Sequence, residues 1–192
     1  MIKQKELSKK AIALLKNLIE TPSFSCEEDK TAALIENWFL DFEIPFKRTK
    51  HNVWAVNKHF TEGKPTLLLN SHHDTVKPNK GYTKDPFKAI VQDEKLYGLG
   101  SNDAGGCLVS LIATFTYFYT KKNLKYNLVL VASAEEENSG SNGLNSMLKV
   151  IPEIDVAIVG EPTLMNLAVA EKGLIVFDAT VKGTPSHAAH IN

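Results

Sequence analysis

Five short segments of this 192-residue chain place carboxylates or a histidine directly after apolar, strand-like runs. They are Ser71-His72-His73-Asp74-Thr75-Val76, Gly100-Ser101-Asn102-Asp103-Ala104-Gly105-Gly106, Ala134-Glu135-Glu136-Glu137, Gly160-Glu161-Pro162-Thr163 and Thr184-Pro185-Ser186-His187. Acids and histidines at strand ends are the means by which an α/β sheet builds a metal site in its crevice. His72 and Asp74 stand two apart, so on a strand or at its exit they point the same way. A carboxylate beside a histidine holds the ring in one tautomer and leaves the other nitrogen for a metal. Taken alone, the tripeptide also fits a solvated loop or a hydrogen-bonded core histidine. His73 points away and is the weaker candidate.

Asp103 sits in a glycine-rich turn ahead of a helix, where a single acid ordinarily caps the helix. A carboxylate between two cations can instead bridge them at the roughly 3.5–4 Å separation of two-metal hydrolases. Glu135, Glu136 and Glu137 follow the apolar run Leu128-Val129-Leu130-Val131. On a surface loop they are unremarkable. At a strand end facing a crevice they repel one another, and a metal is the natural compensation. Adjacent glutamates can divide the work, one as ligand and its neighbour as base. Glu161 also follows an apolar run, with Pro162 fixing its turn. Cys107 follows two glycines, but no pattern pairs it with a base, so a buried helix thiol is expected. His51, His59 and His190 read as surface residues.

The elements that must position these groups follow from periodicity. Leu7, Ala11, Ile12, Leu15, Leu18 and Ile19 recur at helical spacing, and Pro22 ends that helix. Ser25 with Glu28 reads as a capping box for a second helix carrying Ala32, Leu34, Ile35, Trp38 and Phe39 inward. Residues 53–56, 66–69, 127–133 and 156–159 read as strands, the last three buried on both faces. Helices are expected from Gly106 through Phe118 and over 144–150. The alternation gives an α/β fold, with a largely parallel central sheet and helices on both faces. Residues 174–181 alternate partially, as a strand with one solvated face does. One unpartnered strand makes no domain, so a second domain is expected to open near Gly173.

Composition is ordinary for a globular chain, with 43% hydrophobic residues and 22 Lys+Arg against 22 Asp+Glu. No basic stripe suggests nucleic acid and no cationic cluster suggests a membrane surface. The first six residues lack an apolar signal core, no run reaches the ~20 residues that span a bilayer, and Cys26 and Cys107 form no disulfide pattern. A cytoplasmic protein with free thiols is the expectation.

In combination, His72-x-Asp74 after a strand, the Gly100-x-x-Asp103-x-x-Gly106 turn, the acid pair and Gly160-Glu161-Pro162-Thr163 resemble the acetylornithine deacetylase/succinyl-diaminopimelate desuccinylase family of dinuclear zinc hydrolases. The resemblance covers essentially the whole chain. It implies a zinc-exopeptidase-like catalytic domain over 1–172 and the start of a lid and dimerisation domain over 173–192. It also implies two divalent ions, Zn2+ with Co2+ as an alternative. His72 and Glu161 would ligate the first, Glu137 the second, and Asp103 both. Asp74 would orient His72, and Glu136 would be the general base. His187 resembles the lid histidine that reaches a partner subunit's site in a homodimer. The peptide bond between Asp103 and Ala104 is expected to be cis.

The chain departs from the family at three points. Ala104-Gly105-Gly106 stands where Met-Lys-Gly is usual. The acid run has three members, so Glu135-Glu136 is an alternative to Glu136-Glu137. No residue stands for the family's last zinc ligand, so the 192 residues alone are expected to be inactive. The resemblance implies hydrolysis of an N-acyl amino acid, foremost N-acetylornithine in arginine biosynthesis. N-acetyl- or N-succinyl-citrulline is a close alternative substrate. A dinuclear zinc dipeptidase or aminopeptidase, and a non-catalytic binding module, are the competing readings.

Overall fold

The computed structural model describes residues 3–170, 172, 173, 175, 177 and 179–183. Helix α1 (Gln4–Ile19) buries Leu7, Ala11, Leu14, Leu15, Leu18 and Ile19. Ile12, assigned inward from its spacing, is half exposed. It lies one residue, about 100° of rotation, past Ala11, and Leu14 takes the inward place instead. Helix α2 (Asp29–Asp41) buries Ala32, Ile35, Trp38 and Phe39, and α3 (Cys107–Phe118) buries Leu108, Val109, Ile112 and Phe115. These faces pack with Val53, Leu69, Leu130 and Ala132 into the main core.

The sheet runs β1 (Lys47–Thr49), β2 (Asn52–Val56), β6 (Asn127–Ser133), β3 (Thr66–His72), β7 (Val156–Val159) in spatial order. Strands β4 (Ile90–Gln92) and β5 (Lys95–Tyr97) form a separate hairpin. Within the five strands only β2 runs against the others, so the sheet is largely parallel. Helices α1, α2 and α3 cover one face. The other carries a smaller core of Trp54, Leu68, Val129 and Val131 beneath Met147 and Ile151. Its helix α4 (Leu144–Met147) is shorter than the expected 144–150, with Val150 closing a turn onto the Met147 carbonyl at 2.8 Å.

One expectation fails on β7. It was expected to be buried on both faces, yet Val156, Ile158 and Val159 are about half exposed. Among the described residues β7 pairs only with β3, so it is an edge strand. The expected capping box fails as well. Helix α2 has no side-chain cap, because Ser25 and Glu28 bond elsewhere. The chain divides into two compact units, Met1–Pro162 and Thr163–Asn192. The strand expected over 174–181 lies partly outside the described residues, and His187 lies wholly outside them.

Candidate metal centre

Parallel pairing brings the site together. In register, His72 stands opposite Ser133 and Asn70 opposite Val159. The carboxyl ends of β3, β6 and β7 therefore lie side by side, and the residues just beyond them, Asp74, Glu135–Glu137 and Glu161, gather at one sheet edge. Ser71 Oγ donates to the Gly160 carbonyl at 2.8 Å, and the Gly160 amide donates to the Asn70 carbonyl at 2.8 Å. These bonds fix the approach to Glu161. Asp103 arrives from the wide turn Ser101–Gly106, whose Asp103–Ala104 peptide is cis, as expected. Gly105 is required there. A Cβ on it would sit 2.5 Å from the Gly100 carbonyl oxygen, which its own amide bonds.

The centre is the His72 ring, almost fully buried. Its Nδ1 donates toward the Asp74 carbonyl oxygen at 3.0 Å and lies 3.3 Å from Asp74 Oδ1. That leaves Nε2 facing Asp103 Oδ1 at 3.1 Å, Glu161 Oε1 at 3.6 Å and Glu136 Oε2 at 3.8 Å. His72, Asp103 and Glu137 each offer a donor atom, all within 4.8 Å of one another.

Asp74 is fully buried and ties three segments together. It accepts Ser25 Oγ at 2.8 Å and the amides of Glu136 and Glu137 at 3.1 Å each. Glu135 does not join the centre. It is buried, and its carboxylate accepts the Asn142 amide at 3.1 Å and side-chain Nδ2 at 2.7 Å. Of the three acids, Glu136 and Glu137 are therefore the pair near His72. His73 turns to the opposite side, as expected, with Nε2 donating to the His51 carbonyl at 3.1 Å and Nδ1 at 2.9 Å from Thr31 Oγ1.

Electrostatics mark the centre as short of positive charge. Burial and the charges of Glu136, Asp103 and Glu137 push the Glu161 carboxyl up to about 7, against the pull of His72. Burial and Asp103 likewise raise Glu137. Burial opposes a charged His72, but Asp74, Glu161 and Glu136 outweigh it and raise the ring to about 9. Burial also opposes an ionised Asp74, yet bonds from His72, Ser25 and the two amides hold it below the usual carboxylate range. Three carboxylates facing one imidazole nitrogen, with Glu137 in the same cluster, are a donor set for a divalent cation, and mixed nitrogen and oxygen ligands suit zinc and its neighbours. The residues present fit such an ion.

Three residues of this network escaped the sequence reading. Ser25 and Glu28 have capping-box spacing but serve Asp74 and Glu135 instead. His51, read as a surface residue, is only partly exposed and pairs with Glu28 Oε2 at 2.6 Å. Both thiols are free; Cys26 is exposed and Cys107 is only partly buried.

Fold and site together define an α/β protein with a histidine–carboxylate cluster that could hold a metal ion at the carboxyl edge of its parallel strands. Residues 68–189 match Peptidase family M20/M25/M40, and the chain belongs to that family of metal-dependent hydrolases. It is 31% identical over 193 residues to the acetylornithine deacetylase of Buchnera aphidicola subsp. Acyrthosiphon pisum (strain 5A), covering 93% of this chain and 50% of that one. It is 33% identical over 195 residues to the acetylornithine deacetylase of Salmonella paratyphi B, covering 93% and 49%. The chain thus spans about half the length of these relatives. Two solved structures share the fold. The M20 metallo-carboxypeptidase Sso-CP2 of Sulfolobus solfataricus superposes with TM-score 0.65 at 23% identity, over 78% of this chain and 37% of that one. The dinuclear metal-binding peptidase YXEP of Bacillus subtilis gives 0.61 at 20% identity, over 81% and 43%. Among the described residues no helix is long and apolar enough to cross a membrane.

Proposed function

We propose that the protein to which this chain belongs hydrolyses the amide bond of an N-acyl amino acid, with N-acetylornithine the first candidate and arginine biosynthesis its setting. The observation that carries the reading is the convergence of Asp103, Glu136 and Glu161 on His72 Nε2, with Glu137 in the same cluster. The deacetylase relatives support the choice of substrate class.

His72, Asp103, Glu137 and Glu161 would hold two divalent ions, zinc by preference, with Asp103 shared. Bound there, the ions supply Lewis acidity toward the scissile carbonyl and toward water. Glu136 holds the proton released as water adds to the carbonyl carbon. It returns that proton to the amine nitrogen as the C–N bond breaks, giving a carboxylate and a free amine. Asp74 keeps His72 in one tautomer and anchors the amides of Glu136 and Glu137. A cavity of about 320 Å³ bordered by Val76, Tyr82, Asn102, Asp103 and Glu137 opens beside the cluster and is large enough for a small amino-acid derivative. The described residues offer the second ion only Asp103 and Glu137, so the 192 residues alone are proposed to turn over poorly. A lid with His187 and a homodimeric, cytoplasmic whole protein complete the proposal.

The test is hydrolysis by the full-length protein, with and without chelator, of N-acetylornithine, N-acetylcitrulline, N-succinylcitrulline, succinyl-diaminopimelate and a dipeptide. Chelator-sensitive release of the amine from an N-acyl amino acid supports the reading and identifies the acyl group. Activity on the dipeptide alone moves the protein to the peptidases.

A further inference from the structure

Glu28 lies outside the segments that carry the chemistry, yet it is completely buried. Its Oε1 accepts the amides of Cys26 at 2.8 Å and Glu135 at 3.0 Å, and its Oε2 meets His51 Nδ1 at 2.6 Å. The Glu135 amide is the first of the acid run, and the next two, of Glu136 and Glu137, go to Asp74. Three consecutive N–H groups therefore each end on a buried carboxylate. Glu135 also adopts a left-handed φ of 52°, which residues other than glycine seldom take. A buried carboxylate left without its donors is costly, so the arrangement locks the backbone where the two glutamates leave it.

We infer that Glu28, held by His51, is a positioning residue for the acid run. It fixes the backbone at Glu135 so that Asp74 can receive the following two amides, and Glu136 and Glu137 then face His72. The inference rests on the proposed roles of Glu136 and Glu137, so its test reads more than turnover.

In the full-length protein, Glu28→Gln keeps the side-chain volume but removes one charged acceptor. Hydrogen exchange over residues 134–138 of the metal-free protein should quicken by about tenfold or more. Co2+ affinity should fall about 10- to 100-fold with a changed visible absorption spectrum. The kcat should drop by a comparable factor while KM stays within about twofold. If Glu28→Gln does not fold, His51 provides the same test from a partly exposed position. His51→Ala should reproduce the exchange and Co2+ changes, and His51→Asn, whose side-chain N–H replaces the Nδ1 donor, should restore both. Wild-type exchange and Co2+ affinity in Glu28→Gln, or in His51→Ala, overturn the inference, as does a His51→Asn protein no better than His51→Ala. If the exchange and Co2+ changes occur but the wild-type protein hydrolyses no N-acyl amino acid, the inference stands and the deacylase reading falls.

Discussion

His72 Nδ1 lies 3.0 Å from the carbonyl oxygen of Asp74 and 3.3 Å from its Oδ1, so one residue occupies one side of the imidazole with both its backbone and its side chain. The other nitrogen is thereby committed to the acidic cluster. Asp74 also receives the amides of Glu136 and Glu137, so a single buried carboxylate orients the histidine and the two acids opposite it.

Asp74→Asn should therefore damage both halves of the centre at once. Its Nδ2 cannot accept the amide now bonded to a carboxylate oxygen, and the His72 tautomer loses its charged partner. Zinc affinity should fall by about 10- to 100-fold, measured by competition with a chromogenic chelator.

Proton release should accompany metal uptake. In the metal-free site His72 is raised to about 9 and Glu161 to about 7. Both must lose protons to bind a cation, so affinity should climb from pH 6 to pH 9. Calorimetry in two buffers of different ionisation enthalpy should show more protons released per ion at pH 6 than at pH 9.

The same metal-free protein should lose stability in acid through His73. Burial lowers this ring to about 4, so Nε2–H donates to the His51 carbonyl while Nδ1 accepts from Thr31. The unfolded chain takes up that proton near 6.5, earlier than the folded one. The His73 contribution to stability is therefore complete above about pH 6.5 and lost as pH falls toward 4, by about 3 kcal/mol in all. Glu161, raised to about 7, contributes the opposite slope over this range, so urea melts at pH 5 and pH 7 isolate the His73 contribution as the difference in slope between wild type and His73→Phe.

Much of this was legible in the sequence, and the exceptions have physical reasons. Apolar runs ending in His72, Ser133 and Val159 announced parallel strands, and side-by-side strands put their carboxyl ends together. The inward roles of Ile12 and of β7 were misjudged because apolarity does not reveal which face or edge meets a neighbour. Ser25, Glu28 and His51 were missed because their partners lie far along the chain. Local spacing offers a nearby cap, and only tertiary contact shows that Asp74 and Glu135 win the competition.

Gly105→Ala should disturb Asp103 without touching any donor atom. The new Cβ would meet the Gly100 carbonyl at 2.5 Å and Leu15 Cδ1 at 2.7 Å, so the turn must shift. A stability loss of about 1–3 kcal/mol and weaker metal binding are expected from thermal melts with and without zinc.

The most direct test is Glu136→Gln in the full-length protein, compared with wild type at equal metal content on N-acetylornithine. The substitution preserves shape and removes the carboxylate proposed as the base. Zinc stoichiometry should be unchanged, with kcat reduced by roughly 10²- to 10⁴-fold. A near-wild-type rate at full metal loading would contradict it, because the proton would then be moving through some other group.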